Sequence, residues 1–213
     1  PHTLTTNKYR EVNPYRAVTV VHEETRKYLS ILKATFPICT PDGKNRISLL
    51  KEMFLHHCQA HQPAYGCAGL TVILESSQDV RDIYGIIKQY PGLDVQDVCY
   101  SALQGVRYKL KSINWLTALC DEMVAQLGGE SALRKQLEPL CQLHTYPGGV
   151  VIQAGDTPEL GDAANDDIPP AYRLAAKITR PVRFDNYGNN GLFYLPIGLD
   201  RREEMLAWAG RFD

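Results

Sequence analysis

The sequence predicts an α+β fold: a mixed β-sheet with helices packed against it, in a single domain over residues 1–213. Three observations carry that expectation. Leu116, Leu119, Cys120, Met123, Val124 and Leu127 recur at steps of three and four, which places them on one stripe of a helix over Ile113 to Gly129. Leu70 to Leu74 (LTVIL) and Val150 to Ala154 (VVIQA) are short apolar runs, as expected of central strands covered on both faces. Strand-like and helix-like stretches are interspersed without a strict β-α-β-α rhythm, and Pro147-Gly148-Gly149 joins two extended pieces as a hairpin.

Taken in order, residues 1–15 are polar and read as a loose segment. Arg16 to Val21 is β-branched and predicts a strand. His22 to Phe36 predicts a helix with Tyr28, Leu29, Leu32 and Phe36 on one face, ended by Pro37. Thr40-Pro41-Asp42-Gly43 is a turn by composition. Ile47 to Cys58 predicts an amphipathic helix carrying Leu50, Met53, Phe54 and His57, broken at Gln62-Pro63. Ser76 and Asp79 match a capping box for a helix that buries Val80, Ile83, Tyr84, Ile87 and Tyr90. Pro91-Gly92 stops it.

Val106, Tyr108 and Leu110 alternate with Arg107, Lys109 and Lys111, which predicts a strand with one wet face. In the Ile113 to Gly129 stretch Asn114 is placed as N-cap, Trp115 in the first turn, and Gly128-Gly129 at the stop. Ser131 is read as the cap of a shorter helix with Leu133, Leu137 and Leu140. Gly155 to Ile168 predicts a loop, and Pro169-Pro170 a helix start where a missing N–H does no harm. That helix carries Tyr172, Ala175 and Ile178 and closes at Pro181. Asp185 to Gly191 (DNYGNNG) reads as a turn or hairpin tip, Leu192 to Pro196 as a short strand. Asp200 and Glu203 form a capping box before Met205, Leu206 and Trp208, with Gly210 at the end.

A chain of 213 residues buries about 70 % of the surface its unfolded form exposes, so its core needs neither disulfide nor metal. Its 23 basic and 24 acidic residues leave a net charge of −1, which argues against a general nucleic-acid binder. No apolar run approaches the ~20 residues of a membrane span. The six cysteines form no Cys-x-x-Cys pair, and free thiols suit a reducing cytoplasm. No signal peptide stands out, although the chain opens at Pro1 rather than methionine. A cytoplasmic location is the expectation.

The blocks INWLTALCDEMVAQLGG (Ile113 to Gly129), YPGGVVIQAGDTPELGD (Tyr146 to Asp162) and DIPPAY (Asp167 to Tyr172) together resemble the type VI immunity protein family. Its members are bacterial proteins that neutralise a toxin delivered by a type VI secretion system. Weaker echoes lie in AGLTVIL (Ala68 to Leu74) and YPGLDV (Tyr90 to Val95). The similarity runs from near Gly69 to Asp213. It implies a binder that occludes its toxin, with no turnover and no cofactor. The toxin implied is a nuclease of the restriction-endonuclease type.

The residues offer little chemistry. His56, His57, Cys58, His61 and Cys67 are the densest set of metal-ligand types. His57 and His61 are four apart and could share a helix face, but the spacing matches no finger or zincin pattern. An alternative function, a small cytoplasmic enzyme or metal-binding protein, would use the cluster of His57, Cys58 and His61. Nothing local pairs a cysteine with a histidine base, and GGESALRK from Gly128 is a helix stop and cap rather than a phosphate loop. No catalytic and no metal residue is assigned.

What remains is surface for a protein partner. The loop from Gly155 to Ile168 carries Asp156, Glu159, Asp162, Asp166 and Asp167 and no lysine or arginine. Five carboxylates in a chain near neutrality could meet the basic groove, or the catalytic metal, of a nuclease. They could equally be a solvated connection beside a helix N-terminus. Tyr187, in the DNYGNNG tip, is the second candidate contact, as an exposed aromatic anchor.

Overall fold

A computed structural model describes residues 5–6, 9–10, 16–20, 31–72, 79–95, 108–187 and 195–213. Its strands are β1 (Thr5–Thr6), β2 (Tyr9–Arg10), β3 (Arg16–Val20), β4 (Ile31–Thr35), β5 (Tyr65–Ala68), β6 (Leu116–Cys120), β7 (Cys141–Tyr146) and β8 (Gly149–Ala154). Its α-helices are α1 (Ile47–His61), α2 (Asp79–Gln89), α3 (Asp121–Gln126), α4 (Glu130–Leu137), α5 (Pro170–Thr179) and α6 (Arg201–Ala209).

The class is α+β. The main sheet runs in the order β5-β6-β8-β7, and β1-β2 and β3-β4 form separate two-stranded pairs. All these pairings are antiparallel. The parallel component of the expected mixed sheet is confined, among the described residues, to the isolated bridges Thr71–Asp94 and Leu110–Arg183.

Strand alternation decides how the helices cover the sheet. Gly66, Ala118 and Val151 stand opposite one another and share a face. The Phe54 ring of α1 lies 3.3 Å from where a Gly66 side chain would begin, so α1 packs there. Cys141 belongs to the other face, and its thiol donates to the Ala171 carbonyl at 3.5 Å, which places the start of α5 on that side. With helices on both faces, all six positions of β8 are buried. The hairpin expected at Pro147-Gly148 is present, and Gly148 takes φ +99°, open to glycine at little cost.

The largest correction concerns Ile113 to Gly129. Leu116–Cys120 is strand β6, and only Asp121–Gln126 is helix. Every residue of β6 is buried. A strand covered on both faces shows no two-residue alternation, and a continuous apolar run fits a helical stripe by coincidence. Asn114 is no helix cap: its side-chain oxygen accepts from the Trp115 N–H at 2.7 Å, and its own N–H donates to Thr117 Oγ1 at 3.0 Å. Trp115 is 1 % exposed and precedes a strand rather than opening a helix.

Other differences share that cause or lie in partners far along the chain. Ile31–Thr35, expected at the end of a helix, is a strand paired with β3, and Tyr28 and Leu29 lie outside the described residues. In LTVIL, Thr71 makes one bridge to Asp94, while Ile73 and Leu74 lie outside the described residues. The central strands are therefore β6 and β8. The strand expected through Lys111 is described only from Tyr108, which is exposed, whereas Lys111 is buried. Gly129, not Ser131, is the N-cap of α4, and Leu140 is exposed. Ser76 and Leu192 to Tyr194 lie outside the described residues, and Leu195-Pro196 is not strand. Helices α1, α2, α5 and α6 stand where the sequence puts them. Asp200 caps α6, accepting from the Glu203 N–H at 2.8 Å.

Among the described residues two buried clusters result. The larger surrounds β6 and β8 and takes in Met123, Val124, Leu133, Leu137, Tyr172 and Val182. The smaller joins α2 to α6 through Ile87, Val95, Tyr187, Met205, Trp208 and Ala209.

Candidate functional site

The acidic loop leaves β8 at Gly155 and returns at α5. Its mouth is fixed twice, since Trp115 Nε1 and Gln153 Nε2 both donate to the Gly155 carbonyl, at 3.2 and 3.1 Å. Midway, the Glu159 N–H donates to the Tyr172 hydroxyl at 3.2 Å, and the Gly92 N–H donates to the Leu160 carbonyl at 2.7 Å. Near its end Asp162 and Asp167 exchange both backbone hydrogen bonds, at 2.7 and 3.0 Å. Between them Ala163–Asn165 forms one 3₁₀ turn. Backbone hydrogen bonds thus hold the loop at its mouth, its middle and its end, so it is not a slack connection.

The five carboxylates separate by role. Asp162 caps the turn: its oxygens accept from the Ala164 N–H at 3.0 Å and from Asn165 Nδ2 at 2.7 Å. Asp156, Glu159, Asp166 and Asp167 are exposed. Asp166 sits at φ 54°, in the left-handed region, and its carboxylate lies 3.6 Å from Arg173. That pair is largely in solvent, so it stabilises little and leaves the charge open to a partner. Exposed Leu160 stands among them.

Tyr187 does not join this surface. It is 1 % exposed, its ring meets Phe184 edge-on at 4.9 Å, and its hydroxyl donates to the Lys111 carbonyl at 3.5 Å. The expectation of an exposed anchor fails because the aromatic belongs to the smaller core, while Asp185 and Asn186 before it face solvent.

The histidine-cysteine set lies on α1 and β5. The His57 and His61 rings stack at 5.5 Å, and His56 meets His57 edge-on at 5.9 Å. Cys58 is buried, and burial pushes its thiol up to about 12. Cys67 is pushed up to about 11, by burial first and then by the Asp94 carboxylate. Burial thus favours the neutral form of both thiols, whereas a cysteine nucleophile acts as the thiolate. Among the described residues no three His, Cys, Asp or Glu side chains are placed to hold a metal ion.

One polar constellation is absent from the sequence reading. Lys111 Nζ lies 2.8 Å from Asp94 Oδ1, donates to the Val95 carbonyl at 3.1 Å, and stands 5.4 Å from the Trp208 ring centroid. Arg211 stacks on the same ring at 3.8 Å and on Phe212 at 4.4 Å. Its guanidinium donates to the Pro91 carbonyl at 2.6 Å and to Ser112 Oγ at 2.8 Å. Burial lowers its pKa to about 10, which still leaves it charged. Asp94, Lys111 and Arg211 are widely separated in the chain, and no local pattern marks them as partners.

A family model described as TsiV, type VI immunity for VRR-NUC, matches residues 3–212. No curated protein matches the chain. Among solved structures it is similar to the Pseudomonas aeruginosa T6SS protein PA0821, with TM-score 0.70 and 22 % identity over 91 % of this chain and 62 % of that one. At that identity the likeness is one of fold. The chain spans less than two thirds of that protein's length.

Proposed function

Because the chain belongs to the TsiV family, type VI immunity for VRR-NUC, we propose that it binds one cognate type VI secretion toxin, a nuclease, and neutralises it by occlusion. The observation that carries this is the family match over nearly the whole chain. The protein acts as one domain, without turnover and without a cofactor. It works in the cytoplasm, where an incoming nuclease would reach nucleic acid, and it binds neither nucleic acid nor membrane itself. The free cysteines among the described residues and the balanced charge support this reading. Among the described residues no helix is long and apolar enough to cross a membrane.

The contact is the loop between β8 and α5. Asp156, Glu159, Asp166 and Asp167 meet the basic or metal-bearing groove with which a nuclease holds phosphates. Asp162 keeps the loop in shape. Inhibitor complexes of this kind bury about 1,600 Å² in total, so neighbouring surface contributes too.

The test is association of the purified chain with a candidate VRR-NUC nuclease toxin, at two salt concentrations. Changing Asp156, Asp166 and Asp167 together to Asn should slow association and flatten its salt dependence. Unchanged rates and salt slope would remove the loop from the interface. Zinc analysis addresses the alternative: one equivalent per chain would favour a metal-binding protein built on His57 and His61.

A further inference from the structure

We propose that the turn at Tyr90–Leu93, clamped from the interior by Arg211, positions the loop 155–168. The inference deepens the docking reading, and it depends on that reading only for its effect on toxin affinity.

Three contacts lead to it. Arg211 Nε donates to the Pro91 carbonyl at 2.6 Å, while Nη1 reaches Ser112 Oγ at 2.8 Å and the Trp208 carbonyl at 3.1 Å. The guanidinium is planar, and stacking on Trp208 and Phe212 fixes its orientation. Pro91 is thus tied to the segment before β6 and to the end of α6. The next residue passes the constraint outward, because the Gly92 N–H donates to the Leu160 carbonyl at 2.7 Å.

Gly92 is where the fit is closest. A Cβ there would stand 1.8 Å from the Glu159 carbonyl oxygen and 2.9 Å from Leu160 Cα. Those are backbone atoms of the loop, with no rotamer through which to yield. Pro91 Cγ also lies 3.2 Å from where a Gly161 side chain would begin. From α5 the Tyr172 hydroxyl accepts the Glu159 N–H at 3.2 Å. Glu159 and Leu160 are therefore gripped between the turn and α5, and their side chains are presented outward at a set position. A loop already ordered in the free protein avoids the ordering cost of binding.

The experiment uses the full chain carrying Gly92→Ala, with Pro91→Ala as a milder second variant in the same turn. Hydrogen exchange of the Asp162 and Asp167 amides is compared with that of Ala118 and Val151 in the sheet, and affinity for the nuclease is measured in parallel. The expected result is faster exchange in the loop with the sheet unchanged, and affinity weakened by about tenfold. Loop protection unchanged in both variants would overturn the inference. Should Gly92→Ala loosen the whole molecule, Pro91→Ala decides, since it removes only the ring of the turn that lies against Gly161: selective loss of loop protection upholds the proposal, and retained protection overturns it. A loosened loop with undiminished affinity would uphold the positioning role and sink the docking reading instead.

Discussion

Around β6 and β8 the interior is filled by Leu116, Leu119, Val151 and Ile152, each closed off from solvent. Between α2 and α6 the interior holds Ile87, Met205 and Trp208 together with Lys111, the Asp94 carboxylate and the Arg211 guanidinium. The first region is held by shape and volume, so a lost methylene is felt there while an apolar residue of equal size is tolerated. The second holds charge out of water, and each charge is tolerable only while its partners remain. The acidic loop is attached to both, to the sheet core at Gly155 and to the polar seam at Gly92.

That contrast is most exposed to failure at Lys111. Replacing it with Met preserves much of its volume but removes the ammonium that pairs with Asp94 at 2.8 Å. The expected loss is about 4 kcal/mol, read from urea unfolding. A loss near that of an ordinary surface pair would show the seam to be solvated. In the sheet core Leu119→Ala should cost about 3 kcal/mol, and Leu119→Met less than about 1.5 kcal/mol, because volume is what that site requires. If the two Leu119 variants cost the same, shape is not what holds the region.

A smaller effect lies at the edge of the seam. The Arg183 guanidinium holds the Asp213 carboxyl below its ordinary value of 3.8, through a two-pronged pair at 2.8 and 2.6 Å. The Tyr84 hydroxyl and then Lys88 hold Glu204 below 4.5. Both pKa values are depressed on folding, so their stabilisation is complete above about pH 4.5 and fades as the pH falls through the lower folded values. With both groups partly solvated the combined change is about 1 kcal/mol. Arg183→Gln should flatten the acid limb of a stability-against-pH curve. Thiol labelling of the native protein gives a qualitative check: exposed Cys39 should react readily, and buried Cys58 and Cys141 only on unfolding.

The parts of the fold readable from the chain are those whose chemistry is local. α1 and α2 show their apolar stripes, the double proline marks the start of α5, and Asp200 announces α6 three residues ahead of Glu203. The turn at Gly148 is equally local. β6 was hidden because burial on both faces erases alternation. β4 was hidden because its pairing with β3 is made across the chain segment between them. The loop was readable as acidic and irregular, but not as ordered, since Trp115, Gly92 and Tyr172 reach it from other elements. Tyr187 misled for the mirror reason: polar neighbours suggested exposure, and a distant core claimed the ring.

Titrating a candidate VRR-NUC nuclease toxin with the purified chain tests the central claim most directly. The account predicts that activity falls in proportion to added protein and reaches zero at one equivalent, with the toxin's mass unchanged and its activity recovered when the complex is dissociated. Inactivation by substoichiometric amounts, or a toxin left covalently altered, would contradict it.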